Sequence, residues 1–180
     1  MSQVHVPSQS IEDALMLQMT GNSTNTASGD FYLFEVSDDS LFEVILSSGT
    51  NITIDPSDNV IVLDKGLYQL NFSAGVRSYL NAETYGTGQT TLQISTDPTF
   101  SGVDVVNDQQ NKWFGTGNSS HTSVFFDMNN PALINVTQDQ TPLAFQIRLT
   151  TENAVDFVIS GSDVFPITVI HLVRLTNALG

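Results

Sequence analysis

The chain has 180 residues, no cysteine, and 19 acidic against 5 basic side chains, for a net charge of −14. That length supports one domain with a core of its own, while the missing cysteines exclude disulfides, thiol catalysis and thiolate zinc sites. Lys65, Arg77, Lys112, Arg148 and Arg174 are too scattered to form a basic patch for nucleic acid or an anionic membrane, and no apolar run approaches the roughly 18 residues that span a bilayer.

In chain order, "MSQVHVPSQSIEDALMLQM" lacks a basic n-region, and Glu12 and Asp13 interrupt its apolar stretch, so no secretory signal is expected there. Within it, Ser10 and Asp13 make an Asp-bearing capping box. Ile11, Leu15 and Met19 recur every four residues, with Ala14 alongside, which predicts a short helix. "TGNSTNTASGD" follows as a polar linker. Residues 1–29 therefore read as an arm whose helix needs a surface to dock on; a disordered or self-packed terminus is the plainer alternative.

From residue 30 to 180 strand signals dominate. Strands are predicted over 31–36, 41–47, 51–54, 59–63, 67–79, 89–96, 121–128, 132–137, 143–150, 155–160 and 166–176, separated by turns such as "SSGT", "DPSD" and "MNNP". Many short strands without crossover helices mean an all-β, antiparallel two-sheet sandwich or barrel. In 67–76, Tyr68, Leu70, Phe72, Ala74 and Val76 alternate with Gln69, Asn71, Ser73 and Gly75, as expected of a strand with one face on a core. Asp64-Lys65-Gly66 before it reads as a hairpin turn with Gly66 at positive φ. The piece 97–120 reads as an irregular surface excursion carrying Trp113 and Phe114 in a polar loop, either as a ligand contact or as a plug for the end of the sandwich.

Three strands are apolar on both faces. Phe31 and Leu33 back Tyr32, Phe34 and Val36; Phe125 backs Val124, Phe126 and Met128; Ile170 and Leu172 oppose Ile167, Val169, Val173 and Leu175. Such strands need cover on both sides, and a second subunit is the favoured cover, ahead of loops or the arm. Phe31, Leu33, Phe125, Ile170 and Leu172 are accordingly the expected subunit interface. His171, on the face of Val169 and Val173, reads as a hydrogen-bonded core or interface histidine rather than a metal ligand or proton switch. Asp104, Asn107 and Asp108 read as solvated turn residues rather than a calcium loop, and the chain contains no nucleophile elbow, phosphate loop or zinc helix. No catalytic residue, metal ligand or cofactor is expected.

"DNVIVLDKGLYQLNFSAGV" resembles the strand–turn–strand of C1q/TNF-like jelly rolls, with its Gly-Leu-Tyr turn; "TPLAFQIRLTT" fits their penultimate hairpin and "PITVIHLVRLT" their last strand. The resemblance implies a jelly-roll domain over 30–180 that forms homotrimers through the first strand, the strand after the Gly-Tyr turn, a late middle strand and the last. Such trimers occur as secreted ligands, surface tips, and viral spikes or cement proteins. An acidic, cysteine-free domain without collagen triplets suits the last class: a phage capsid decoration or head-spike protein on the virion surface. In that reading it is no enzyme, its partners are itself and the major capsid protein, and Ile11, Leu15 and Met19 of the arm meet the capsid. The alternative is a C1q/TNF-like module binding a host-surface ligand or glycan through Trp113 and Phe114.

Overall fold

The computed structural model describes residues 13–80, 85–101, 105–116, 123–151, 154–161 and 168–176, with side chains described outside 77–88, 102–130, 151–155, 160 and 176. Its strands are β1 (Ala14–Met19), β2 (Thr26–Ala27), β3 (Phe31–Leu33), β4 (Phe42–Ser48), β5 (Ile52–Asp55), β6 (Val60–Leu63), β7 (Gly66–Leu80), β8 (Tyr85–Ser95), β9 (Val105–Thr116), β10 (Ser123–Val136), β11 (Thr141–Thr151), β12 (Ala154–Ser160) and β13 (Val169–Thr176). Among the described residues they form two antiparallel sheets. The first runs β2-β12-β7-β13-β1-β4, with β10 on the far side of β7. The second runs β5-β6-β11-β8-β9, with β3 also on β11.

Alternation builds the core between the sheets. Tyr68, Leu70, Phe72, Ala74 and Val76 of β7 are all buried, facing Leu143, Phe145, Ile147 and Leu149 of β11 and Leu92 and Ile94 of β8. Aromatic rings bridge the layers: Phe72 meets Phe34 edge-on at 5.2 Å and Phe145 at 5.3 Å.

Several expectations change. Residues 14–19 are a strand, not a helix, paired on one side with β13 and on the other with β4, while Ile11 lies outside the described residues. Leu15, Leu17 and Met19 share its inner face and are buried, because two flanking strands satisfy the backbone that a three-turn helix would have had to satisfy alone. A boundary at 29/30 thus cuts through the sandwich, since β1 and β2 belong to the first sheet. Asp64-Lys65-Gly66 is no hairpin: β6 pairs in the second sheet and β7 in the first, so the chain crosses between layers, with Gly66 opening β7. Likewise β11 pairs with β3, β6 and β8 rather than forming a hairpin with β12. Residues 105–116, expected to be irregular, form β9. The two strands expected at 121–128 and 132–137 are one strand, β10, an edge strand among the described residues, the kind of strand in which a sheet tolerates a proline such as Pro131.

β12 and β13 lie end to end along one side of β7, and the break between them is closed by polar contacts. Gly75 N–H donates to Thr168 Oγ1 (3.1 Å), Ile159 N–H to Ser23 Oγ (2.8 Å) and Met19 N–H to the Thr168 carbonyl (2.9 Å). Here Gly161 passes against the backbone of Met19 and Gly21, with no room for a Cβ.

A second polar cluster ties the chain's two ends together. Buried Asp13, just before β1, accepts from Thr50 N–H (2.9 Å), Asn51 N–H (3.1 Å) and Asn51 Nδ2 (2.9 Å), and its other neighbour is the Arg174 guanidinium of β13 at 3.6 Å. Arg174 also donates to the Lys65 carbonyl (2.7 Å), and the Tyr68 hydroxyl donates to the Asp64 carbonyl (2.6 Å). Burial pushes the Tyr68 phenol up to about 12; Arg174 opposes the shift, while Asp64, Asp13 and Asp139 reinforce it. For Asp13, burial by itself would raise the carboxyl, but the donors of Asn51 and Thr50 and the charge of Arg174 outweigh it and hold the group below its ordinary value. A depressed carboxyl stabilises the fold fully at neutral pH and loses that contribution as pH falls below the ordinary carboxylate range. Asp13→Ala is therefore expected to cost about 2 kcal/mol at pH 7, because it leaves the part-buried donors of Thr50, Asn51 and Arg174 without their acceptor. In urea titrations the gap to wild type should narrow at pH 3; an equal gap at both pH values would contradict this role.

Candidate interaction face

The sheets differ in what they turn outward. Register lays down rows across the first sheet. One row runs Leu46, Met16, His171, Asn71, Pro131 through β4, β1, β13, β7 and β10. The neighbouring rows carry Gln18, Val169, Ser73 and Asn129 on one side, and Ala14, Val173, Gln69 and Leu133 on the other. Since their chain neighbours Leu15, Leu17, Leu70, Phe72, Ile170 and Leu172 point into the core, the residues of these rows on β1, β7 and β13 face away from it. Met16, Val169, His171 and Val173 are half-buried; Leu133 is 69% exposed, Leu46 45% and Leu175 40%. Met16, Asn71, Ser73, Val169 and His171 line a shallow depression of about 270 Å³.

On β1, β13, β7 and β10 these three rows contain no acidic or basic residue, on a chain of net charge −14. The nearest carboxylate along the face is Glu43 on β4, opposite Gln18. The apolar character continues onto the β4 edge, where Val44 and Ile45 are 51% and 47% exposed. An exposed apolar edge beside an uncharged face is unusual for a surface that meets only water.

The residues expected at the interface are not brought together. Ile170 and Leu172 are fully buried in the core; the outward set of β13 is the opposite parity, Val169, His171, Val173 and Leu175. Phe31 and Leu33 are 37% and 44% exposed but sit on β3 in the second sheet, where Arg148 lies 4.5 Å over the Phe31 ring. Phe125 is on β10 in the first sheet, opposite Arg77 in register, and its side chain lies outside the described set. Leu15 and Met19, expected to meet a capsid, are core residues. Trp113 and Phe114 pair with Gly88 and Thr87 on β9, which ends the second sheet; their side chains too lie outside the described set. What the sequence reading missed was Met16, Leu46 and Leu133. Met16 was hidden in a supposed helix, whereas strict alternation with Leu15 and Leu17 was the signal that marked it as outward.

The first strand, the strand after Gly-Leu-Tyr, a late middle strand and the last now lie side by side as β1, β13, β7 and β10. These are the strands that the sequence resemblance set together on one sheet, once β1 replaces 31–36 as the first. The chain folds as an antiparallel two-sheet jelly-roll sandwich. No protein-family model and no curated protein matches it. Among solved structures it is similar to PRD1 vertex protein P5 (16% identity, TM-score 0.49, 93% of this chain and 99% of that one). It is also similar to murine APRIL (14% identity, TM-score 0.48, 91% and 98%) and to Eiger TNF from S. frugiperda (10% identity, TM-score 0.46, 93% and 94%). At such identities the likeness is one of jelly-roll shape alone.

Proposed function

We propose that this jelly roll is a structural, non-catalytic protein of a virion surface, working as a homotrimer joined through the outward face of its first sheet. The observation that supports self-association is the uncharged set of rows across β1, β13, β7 and β10, where Met16, Val169, Val173 and Leu133 stand among amides and Ser73. A chain of net charge −14 repels its own copies everywhere except across an uncharged surface, and this face supplies one. The virion role follows from the sequence resemblance, in which free-standing trimeric jelly rolls decorate or spike capsids. With Leu15 and Met19 in the core, anchoring to the major capsid protein falls to residues 1–12, including Ile11.

Leu133→Asp tests the trimer. Leu133 is 69% exposed, so the substitution leaves the protomer folded by circular dichroism. It should weaken association at least about tenfold in sedimentation experiments, because each contact then buries a carboxylate. Unchanged association would remove this face from the interface. Anchoring is tested by co-sedimentation with assembled capsids before and after deletion of residues 1–12. A trimer that ignores capsids, while glycans shift the fluorescence of Trp113, the single tryptophan, would favour the binding-module alternative.

A further inference from the structure

We infer that His171 makes self-association through this face sensitive to pH, so that acidification weakens it; this rests on the self-association proposed above. His171 stands in the middle row, between Met16 of β1 and Asn71 of β7, with Val169 and Val173 beside it on β13, and it lines the depression in the face. Imidazole is the side chain whose charge ordinarily changes between pH 5 and 8. Neutral, it is a fair neighbour for Met16, Val169 and Val173. Protonated, it brings a cation onto strands that carry no anion to receive it, the nearest along the face being Glu43 two strands away on β4.

The surroundings offer no compensation. Against His171, β1 presents Met16 and Gln18, β7 presents Gln69, Asn71 and Ser73, and β13 presents Val169 and Val173, none of them titratable. The charged groups nearest along the sheet are Glu43, opposite Gln18 on β4, and, by register position, Arg77 on β7 and Asp127 on β10, opposite Gly75. Arg174, next in sequence, is engaged with Asp13 and the Lys65 carbonyl. A second copy closing over the face would strip water from the imidazolium, and burying an unpaired charge is strongly unfavourable.

The sign of the effect sets it apart from the rest of the chain's titration. Protonating carboxylates, His5 or His121 lowers the net negative charge, which reduces repulsion between copies and favours association on acidification. A cation trapped in the contact acts the other way.

The experiment measures the dissociation constant of the full chain by sedimentation at pH 7.5 and pH 5.5, at matched ionic strength. The variants are His171→Gln, His171→Asn and the double control His5→Gln/His121→Gln. Wild type and the control should dissociate at least about tenfold more readily at pH 5.5, because every protomer then adds a cation to the contact. The two His171 variants should hold or tighten. A trimer whose association ignores pH, or weakens equally in the His171 variants, overturns the inference while leaving the trimer standing. A monomer at both pH values overturns the trimer, and the inference with it.

Discussion

Phe72→Ala is expected to lower the unfolding free energy by about 4 kcal/mol, in the upper range for deleting a buried aromatic side chain. Phe72 is fully buried at the centre of the sandwich, on the strand that carries most of the first sheet's pairing. Its ring is also the contact between the layers: Phe34 and Phe145 of the second sheet meet it edge-on at 5.2 and 5.3 Å. Truncation opens a cavity that two rigid sheets cannot close, and it removes both ring pairings. Phe72→Leu keeps most of the volume and should cost less than half as much. Urea midpoints for the two variants check the order; equal losses would mean that the volume kept by Leu contributes nothing, contradicting the cavity argument.

Gly161→Ala should cost about 3 kcal/mol, through overpacking rather than lost burial. A Cβ at this position would run into the Gly21 carbonyl and come within 2.7 Å of the Met19 carbonyl carbon and 2.6 Å of Met19 Cγ. Two of those three obstacles are backbone, and that backbone is fixed by the Met19 N–H bond to Thr168 and the Ser23 N–H bond to Ile159. The strain therefore cannot be relieved by turning a side chain. Gly29 offers the contrast. It has open space around it but φ near +101°, so Gly29→Ala is strained by conformation alone and should cost about 1 kcal/mol. Thermal unfolding that ranks Gly29→Ala as the more damaging of the two would contradict the close approach at residue 161.

The two-sheet sandwich was legible because period-2 patterning is strong where one face is buried, as in Tyr68 to Val76. The start of the chain was misread for a geometric reason. Leu15 and Met19, four residues apart, share a face in a helix and equally in a strand. Leu17 between them distinguishes the two, and it is buried on their side. A strand apolar on both faces does not reveal which face is the core: Ile170 and Leu172 are expected outward, but the pairing of β13 with β7 puts them level with Phe72 and Leu70, inside. Phe31 and Leu33 lie on the other sheet, because sequence pattern carries no information about which sheet a strand joins. The Asp64-Lys65-Gly66 turn shows the same limit, since a hairpin and a crossing between layers use the same turn residues. At β9, Asn, Gln and Gly suppress the strand signal, and antiparallel pairing with β8 overrides it.

The mass of the full chain in solution, measured by sedimentation at micromolar concentration and neutral pH, tests the central claim most directly. Three times the protomer mass, falling to one in Leu133→Asp, is the expected result. A wild-type chain that sediments as a folded monomer would contradict it.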